Sequence, residues 1–205
     1  MMQLLLVFGL LQGGLADCSF KGVAELRSEG VKTGFRPALV QGRWYEQIYH
    51  DVAQGAATCQ RLDIQATETG GLESNFSVIY SGGPFTIAEH YTPEDGTGVF
   101  RKYVSIPGGI PGGSLIGMPT AVVDVVPGAS GTGFDALILY SCYTELMKVI
   151  EIATREPVVD ESVIEDLYQR AAERVPFIAR QDMHRVDQTK CSHSNMTSKS
   201  LFIVL

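Results

Sequence analysis

The sequence predicts an all-β fold: an eight-stranded up-and-down antiparallel β-barrel with one C-terminal α-helix packed on its outside. Three observations predict it. Eight short strand-like runs follow one another, several of them alternating apolar and polar residues between turn residues, the pattern of an antiparallel sandwich or barrel. A helical period appears only after the eighth run. That eighth run is apolar on both faces, so it can receive a helix on the side turned away from the barrel interior.

In chain order, the first element is a leader. Met1 to Ala16 combines an apolar run, Leu4 to Leu11, with small residues at Gly14 and Ala16, the pattern of a secretory signal and too short to span a bilayer. The chain is 205 residues long. It divides into a signal peptide at 1–16, one domain at 17–191, within the size that buries a single core, and a tail at 192–205. A composition of 45% hydrophobic and 19% charged residues with a formal charge of -7 offers no basic patch for nucleic acid. The four cysteines, Cys18, Cys59, Cys142 and Cys191, include no C-x-x-C pair. That spacing argues against a zinc or thioredoxin-type site, and in an exported chain it favours two disulfides.

The first strand is Gly42 to Tyr49, which holds the only tryptophan, Trp44. In the second, Leu62, Ile64 and Ala66 alternate with Arg61, Asp63 and Gln65, and Thr69-Gly70-Gly71 turns the chain into the third. There Leu72, Ser74, Phe76, Val78 and Tyr80 share one face. Asn75 falls on the opposite, polar face. Asn75 and Asn195, the only asparagines, both lie in Asn-x-Ser/Thr glycosylation sequons. The fourth strand runs from Phe85 to Tyr91 and the fifth from Val99 to Ser105. Ile106 to Gly113 then reads Ile-Pro-Gly-Gly twice, a loop composition. It has neither the Lys-Ser/Thr ending nor the helix of a phosphate cradle. Thr120 to Val126, Phe134 to Tyr143 and Met147 to Thr154 complete the eight.

Pro157 and Asp160 open the helix. Ile164, Leu167, Tyr168, Ala171 and Val175 form its apolar stripe, and Pro176 ends it. Ile150 and Ile152 of the eighth strand are the side chains expected to meet that stripe. After Cys191 the tail is polar until Leu201-Phe202-Ile203-Val204-Leu205, which is abruptly apolar.

Three stretches resemble the lipocalin family. Gly42-Arg43-Trp44-Tyr45-Glu46 is similar to its first signature. Thr132-Gly133-Phe134-Asp135 with the strand that follows is similar to its second, with Gly133 where the family has Asp. Ile152-Ala153-Thr154-Arg155-Glu156-Pro157 is similar to its third, whose arginine covers the motif tryptophan at the barrel base. The branch resembled most is that of apolipoprotein D, bilin-binding protein and crustacyanin. It implies disulfides Cys18–Cys142 and Cys59–Cys191, with Gly42, Trp44 and Arg155 as the structural motif.

The function the resemblance implies is secretion and carriage of a small hydrophobic ligand such as a retinoid, carotenoid, bilin, fatty acid or steroid, by a monomer or homodimer without a cofactor. From strand alternation, Leu62, Ile64, Phe76, Val78, Tyr80, Val123 and Val125 face inward as candidate ligand contacts. If Arg155 faces the base, Glu151 shares its side and brings a carboxylate into the cavity, where it could meet a ligand hydroxyl or amine or pair with an internal cation. The alternative is a filled barrel that binds a protein through its loops. An isomerase is the lesser alternative, because that activity on this fold uses a free cysteine. Haem binding would need an inward histidine, and His50, His90, His184 and His193 supply no candidate. The apolar end, Leu201 to Leu205, adds the expectation of weak contact with a lipid or lipoprotein surface.

Overall fold

The computed structural model describes residues 17–51, 54, 57–80, 83–105, 117–144 and 146–191. The expected signal peptide at 1–16, the Ile-Pro-Gly-Gly repeat, Asn195 and the apolar C-terminal end lie outside the described residues. Two short helices, α1 (Phe20–Glu25) and α2 (Glu29–Gly34), precede a 3-10 turn at Pro37–Val40. The barrel strands follow: β1 (Gly42–His50), β2 (Thr58–Ala66), β3 (Leu72–Tyr80), β4 (Gly83–Pro93), β5 (Val99–Ser105), β6 (Met118–Pro127), β7 (Phe134–Thr144) and β8 (Met147–Thr154). Helix α3 (Glu161–Arg174) and a two-residue strand β9 (His184–Arg185) come last. Each barrel strand is antiparallel to the next, and β1 pairs with both β8 and β2, which closes the sheet on itself.

Closure leaves two separate apolar clusters. The inner one joins Trp44, Leu62, Ile64, Phe76, Val78, Phe100, Val122, Val125, Leu137 and Ala153 among others. The outer one joins Ile48, Ile138, Tyr140, Ile150 and Ile152 of the sheet to Ile164, Leu167, Ala171 and Val175 of the helix. The expected seat of α3 on Ile150 and Ile152 is the observed one. Burying each of Ile164 and Leu167, both nearly inaccessible, is worth about 1.5–3 kcal/mol, and this holds a helix whose Asp160 side chain makes no capping bond.

Because the strands alternate in direction, the turns after β2, β4 and β6 gather at one end. That end is plugged. Arg155 lies 3.7 Å over the Trp44 ring and donates to the carbonyls of Phe134, Arg43 and Leu39 at 3.1, 3.0 and 3.3 Å. Trp44 Nε1 donates to the Val40 carbonyl at 2.7 Å. Gly42 has φ +102°, and a Cβ there would sit 3.1 Å from Arg155 Nη1, so glycine is required by both backbone and space. Helix α2 adds Val31 and Phe35 to the inner cluster, with Phe35 near Phe100 and Phe134. Gly98, at φ +90°, lets this plug approach, since a Cβ would lie 3.2 Å from Val31. Arg27 ties the plug to the β4–β5 turn through Asp95 at 2.7 Å and the Thr97 carbonyl at 2.8 Å.

The β1–β2 seam is paired only from Gly42↔Ile64 to Tyr45↔Arg61. Beyond it the two strands part, and the C-terminal segment fills the gap. β9 pairs with Ile48 and Tyr49 of β1, and Gln188 Nε2 donates to the carbonyls of Glu46 and Gln60 at 2.8 and 2.7 Å. Both expected disulfides are present, Cys18–Cys142 and Cys59–Cys191, with sequence separations of 124 and 132 residues. The second fastens this segment to the start of β2. Replacing Cys59 and Cys191 together by serine should lower unfolding free energy by about 2–4 kcal/mol in urea titration. It should also raise hydrogen exchange at β9 before it does so at β6 and β7. Uniform protection in the variant would contradict the role given to the seam.

Candidate functional site

The barrel interior is graded from base to mouth. Leu62, Ile64, Phe76 and Val78, four of the residues expected to face inward, are buried in the inner cluster. Toward the far end, where β1, β3, β5 and β7 finish, the lining becomes half-buried at Tyr80, Phe85 and Ile87, which pack against the same cluster. Tyr80 and Phe85 face each other across the β3–β4 hairpin, ring centroids 6.3 Å apart. Val125 is inside as expected. Val123 is not: it lies in the outer cluster with the helix. The cause is an irregularity in the β6–β7 register between Val122 and Asp124. An extra residue in one strand breaks strict alternation, so Val122 and Val125 point in while Val123 points out and Asp124 meets Arg170 of α3 at 3.4 Å.

Across the middle of the lumen runs a buried polar bar. Lys102 of β5 places its Nζ 2.7 Å from Glu89 Oε1 of β4 and 3.2 Å from Glu151 Oε1 of β8. Tyr91 of β4 donates its hydroxyl to Glu89 Oε2 at 2.8 Å. In a closed ring of eight strands, β4 and β5 stand opposite β8 and β1, so Lys102 reaches across the barrel. Glu46 of β1 also belongs to this group; neither of its carboxyl oxygens, nor Glu151 Oε2, has a hydrogen-bond partner among the described residues. Glu46, Glu89, Lys102 and Glu151 are each at most 5% exposed.

Three carboxyls therefore face one ammonium. Burial first, and then the charge of Glu151, hold the Glu46 carboxyl well above the ordinary carboxylate range. Burial also raises Glu151, although Lys102 pulls the other way. Burial opposes the charge on Lys102, but Glu151 and Glu89 more than offset it and its pKa is raised well above that of a free lysine. Tyr91, raised by burial and by Glu89, remains a donor. Of these residues the sequence singled out only Glu151. Alternation carried the rest: Glu46 is two residues from Trp44, Lys102 two from Phe100, and Phe85, Ile87, Glu89 and Tyr91 share one face.

A raised carboxyl makes stability fall as pH rises. The unfolded chain releases the Glu46 proton above its ordinary pKa of about 4.3 while the folded chain keeps it, so unfolding releases a proton and is favoured by higher pH. Replacing Glu46 by glutamine removes that dependence. The variant's unfolding free energy relative to wild type should grow by roughly 1–3 kcal/mol between about pH 4 and about pH 8. A pH-independent difference would mean that Glu46 is ionised in the folded protein.

No protein-family model and no curated protein matches the sequence. Solved structures do match in fold. Apocrustacyanin C1 aligns with a TM-score of 0.59 at 10% identity, covering 85% of this chain and 88% of that one. Lobster apocrustacyanin A1 aligns with 0.56 at 11% identity, covering 85% and 88%. The cockroach allergen Per a 4 aligns with 0.51 at 17% identity, covering 76% and 89%.

Proposed function

We propose that this chain, a closed eight-stranded barrel of the lipocalin fold with a crustacyanin-like form, is a secreted protein that binds a small and largely apolar molecule in its lumen. The observation that carries the reading is the graded lining. Apolar side chains inside a folded barrel are normally covered by other side chains, yet Tyr80, Phe85 and Ile87 pack against the inner cluster and stay only partly buried. Apolar surface left uncovered inside a concave wall gains about 25 cal/mol per Å² when a ligand covers it. Leu62, Ile64, Phe76, Val78 and Val125 form the deeper wall, and the opposite end is closed by Trp44 and Arg155. The ligand classes that the lipocalin resemblance implies are retinoids, carotenoids, bilins, fatty acids and steroids.

Secretion is supported by the leader at 1–16 and by two disulfides, which persist in oxidising compartments. Binding rather than catalysis is supported by the pairing of all four cysteines, since the isomerase reading needs a free thiol. Asn75 is exposed on β3, as an occupied glycosylation sequon requires.

The test is displacement of the fluorescent fatty acid cis-parinaric acid by retinol, oleate and progesterone. At least one should compete, and Ile87→Arg at the mouth should weaken binding by about tenfold, the loss of roughly 1.4 kcal/mol of apolar contact, with little change in melting temperature. Failure of wild type to bind parinaric acid or any competitor would leave the alternative, a filled barrel that engages a protein through its loops.

A further inference from the structure

We propose that the lumen recognises the ammonium group of an apolar amine, held between Glu46 and Glu151, with the apolar body extending toward Tyr80, Phe85 and Ile87. This rests on the carrier reading and names the chemistry of its ligand. The polar bar is unbalanced in hydrogen bonds as well as in charge. Glu89 is satisfied on both oxygens, by Lys102 and by Tyr91. Glu151 is satisfied on one, by Lys102. Three carboxyl oxygens, two of Glu46 and one of Glu151, are buried without a hydrogen-bond partner among the described residues. Buried polar groups are ordinarily paired, and each exception calls for an explanation.

The two residues stand on neighbouring strands, with Glu46 opposite Ala153 and Tyr49 opposite Glu151 in the β1–β8 register. Three unmet acceptors fit the three donors of a primary ammonium. A carboxylic acid ligand would bring a fourth carboxyl to a site whose one lysine is already shared by two. A neutral alcohol could donate to one oxygen and would leave the other two without a donor. Among the described residues, no three His, Cys, Asp or Glu side chains are placed to hold a metal ion. The other titratable groups acting on the site add to its preference for a cation: Glu89 and Asp51 both act on Glu46 and Glu151 as negative charges, and Lys102 is the one positive charge among them.

The proton balance gives the test its sharpest readout. Burial, and then the charge of Glu151, favour the protonated form of Glu46 in the free protein. An amine enters from neutral water as its ammonium, the Glu46 O–H bond breaks, and the proton leaves to solvent as the carboxylate–ammonium pair forms. A neutral guest releases none.

Isothermal titration of n-octylamine, 1-octanol and octanoate near neutral pH, in phosphate and in Tris, measures affinity and proton release together. Octylamine should bind at least about tenfold more tightly than octanol, with octanoate weakest, and should release close to one proton. Glu46→Gln should bring the amine's affinity down to about that of octanol and abolish the release. Glu151→Gln should weaken the amine in the same direction, so that the result does not hang on one variant's folding, which its melting curve checks. Octanol or octanoate binding as tightly as octylamine overturns the amine assignment and leaves the carrier reading standing. So does amine binding that neither glutamine variant alters. If none of the three binds, the amine assignment falls; if parinaric acid is not bound either, the carrier reading falls with it.

Discussion

Replacing Lys102 by methionine should destabilise the protein by about 3–5 kcal/mol near neutral pH, the usual cost of removing one partner from a buried ion pair. Methionine keeps much of the lysine's volume, so the loss is electrostatic rather than a cavity. Glu89 and Glu151 would remain inside the barrel with no cation, beside a Glu46 that already has no partner. The pH dependence follows from the signs. In the wild type the Lys102 pKa is raised on folding, so its contribution is complete below the lysine's unfolded pKa of about 10.4 and is lost as pH rises through the folded value. In the variant Glu151 loses the one group that held its pKa down. The penalty should therefore shrink as pH falls and Glu151 takes up a proton. Guanidinium melts at several pH values check this. A penalty under about 1 kcal/mol at pH 7 would show that Lys102 escapes the lumen and finds water, in the manner of a surface pair.

Trp44→Ala should cost a similar amount, about 3–5 kcal/mol, for a different reason. Trp44 is fully buried. Its removal opens a cavity at the closed end, strips Arg155 of the indole face it covers and leaves the Val40 carbonyl without its donor. The cation over the ring accounts for about 0.5–2 kcal/mol of the total. Phenylalanine at the same position keeps part of the stacking and volume but not the Nε1 donor, so it should fall between the two. Equal melting temperatures for Trp44→Phe and wild type would mean that the hydrogen bond to Val40 contributes nothing net.

The strands were legible because their signal is local. Strand-like runs between turn residues delimit Leu72–Tyr80, Val99–Ser105 and Met147–Thr154, and these are the observed β3, β5 and β8. Where the period is interrupted the reading slips, as at Val123, because one extra residue in β6 reverses every side chain before the register recovers. The helical part of the base plug was not legible. Helices α1 and α2 have six residues each, fewer than two turns, too short for an apolar stripe to repeat. The local cues are two N-cap serines: Ser19 accepts from the Gly22 amide and Ser28 from the Val31 amide.

The polar bar was missed for a different reason. A charged residue in an alternating strand is read as outward by default, and nothing in the order of residues brings Lys102 to Glu151, 49 positions away. Only closure of the barrel sets β5 opposite β8. Glu151 itself could be found because the motif arginine two strand repeats later fixes its face. Glu46 could have been found in the same way from Trp44, since i and i+2 point to one side.

Native mass spectrometry of the protein expressed in a eukaryotic secretory host, purified without denaturation and treated with a glycosidase, tests the central claim most directly. The account predicts a one-to-one adduct of ligand mass that dissociates on activation, and much reduced occupancy in Ile87→Arg. Bare protein alone in the wild type, together with failure to take up any member of the lipid and amine panels, would contradict it.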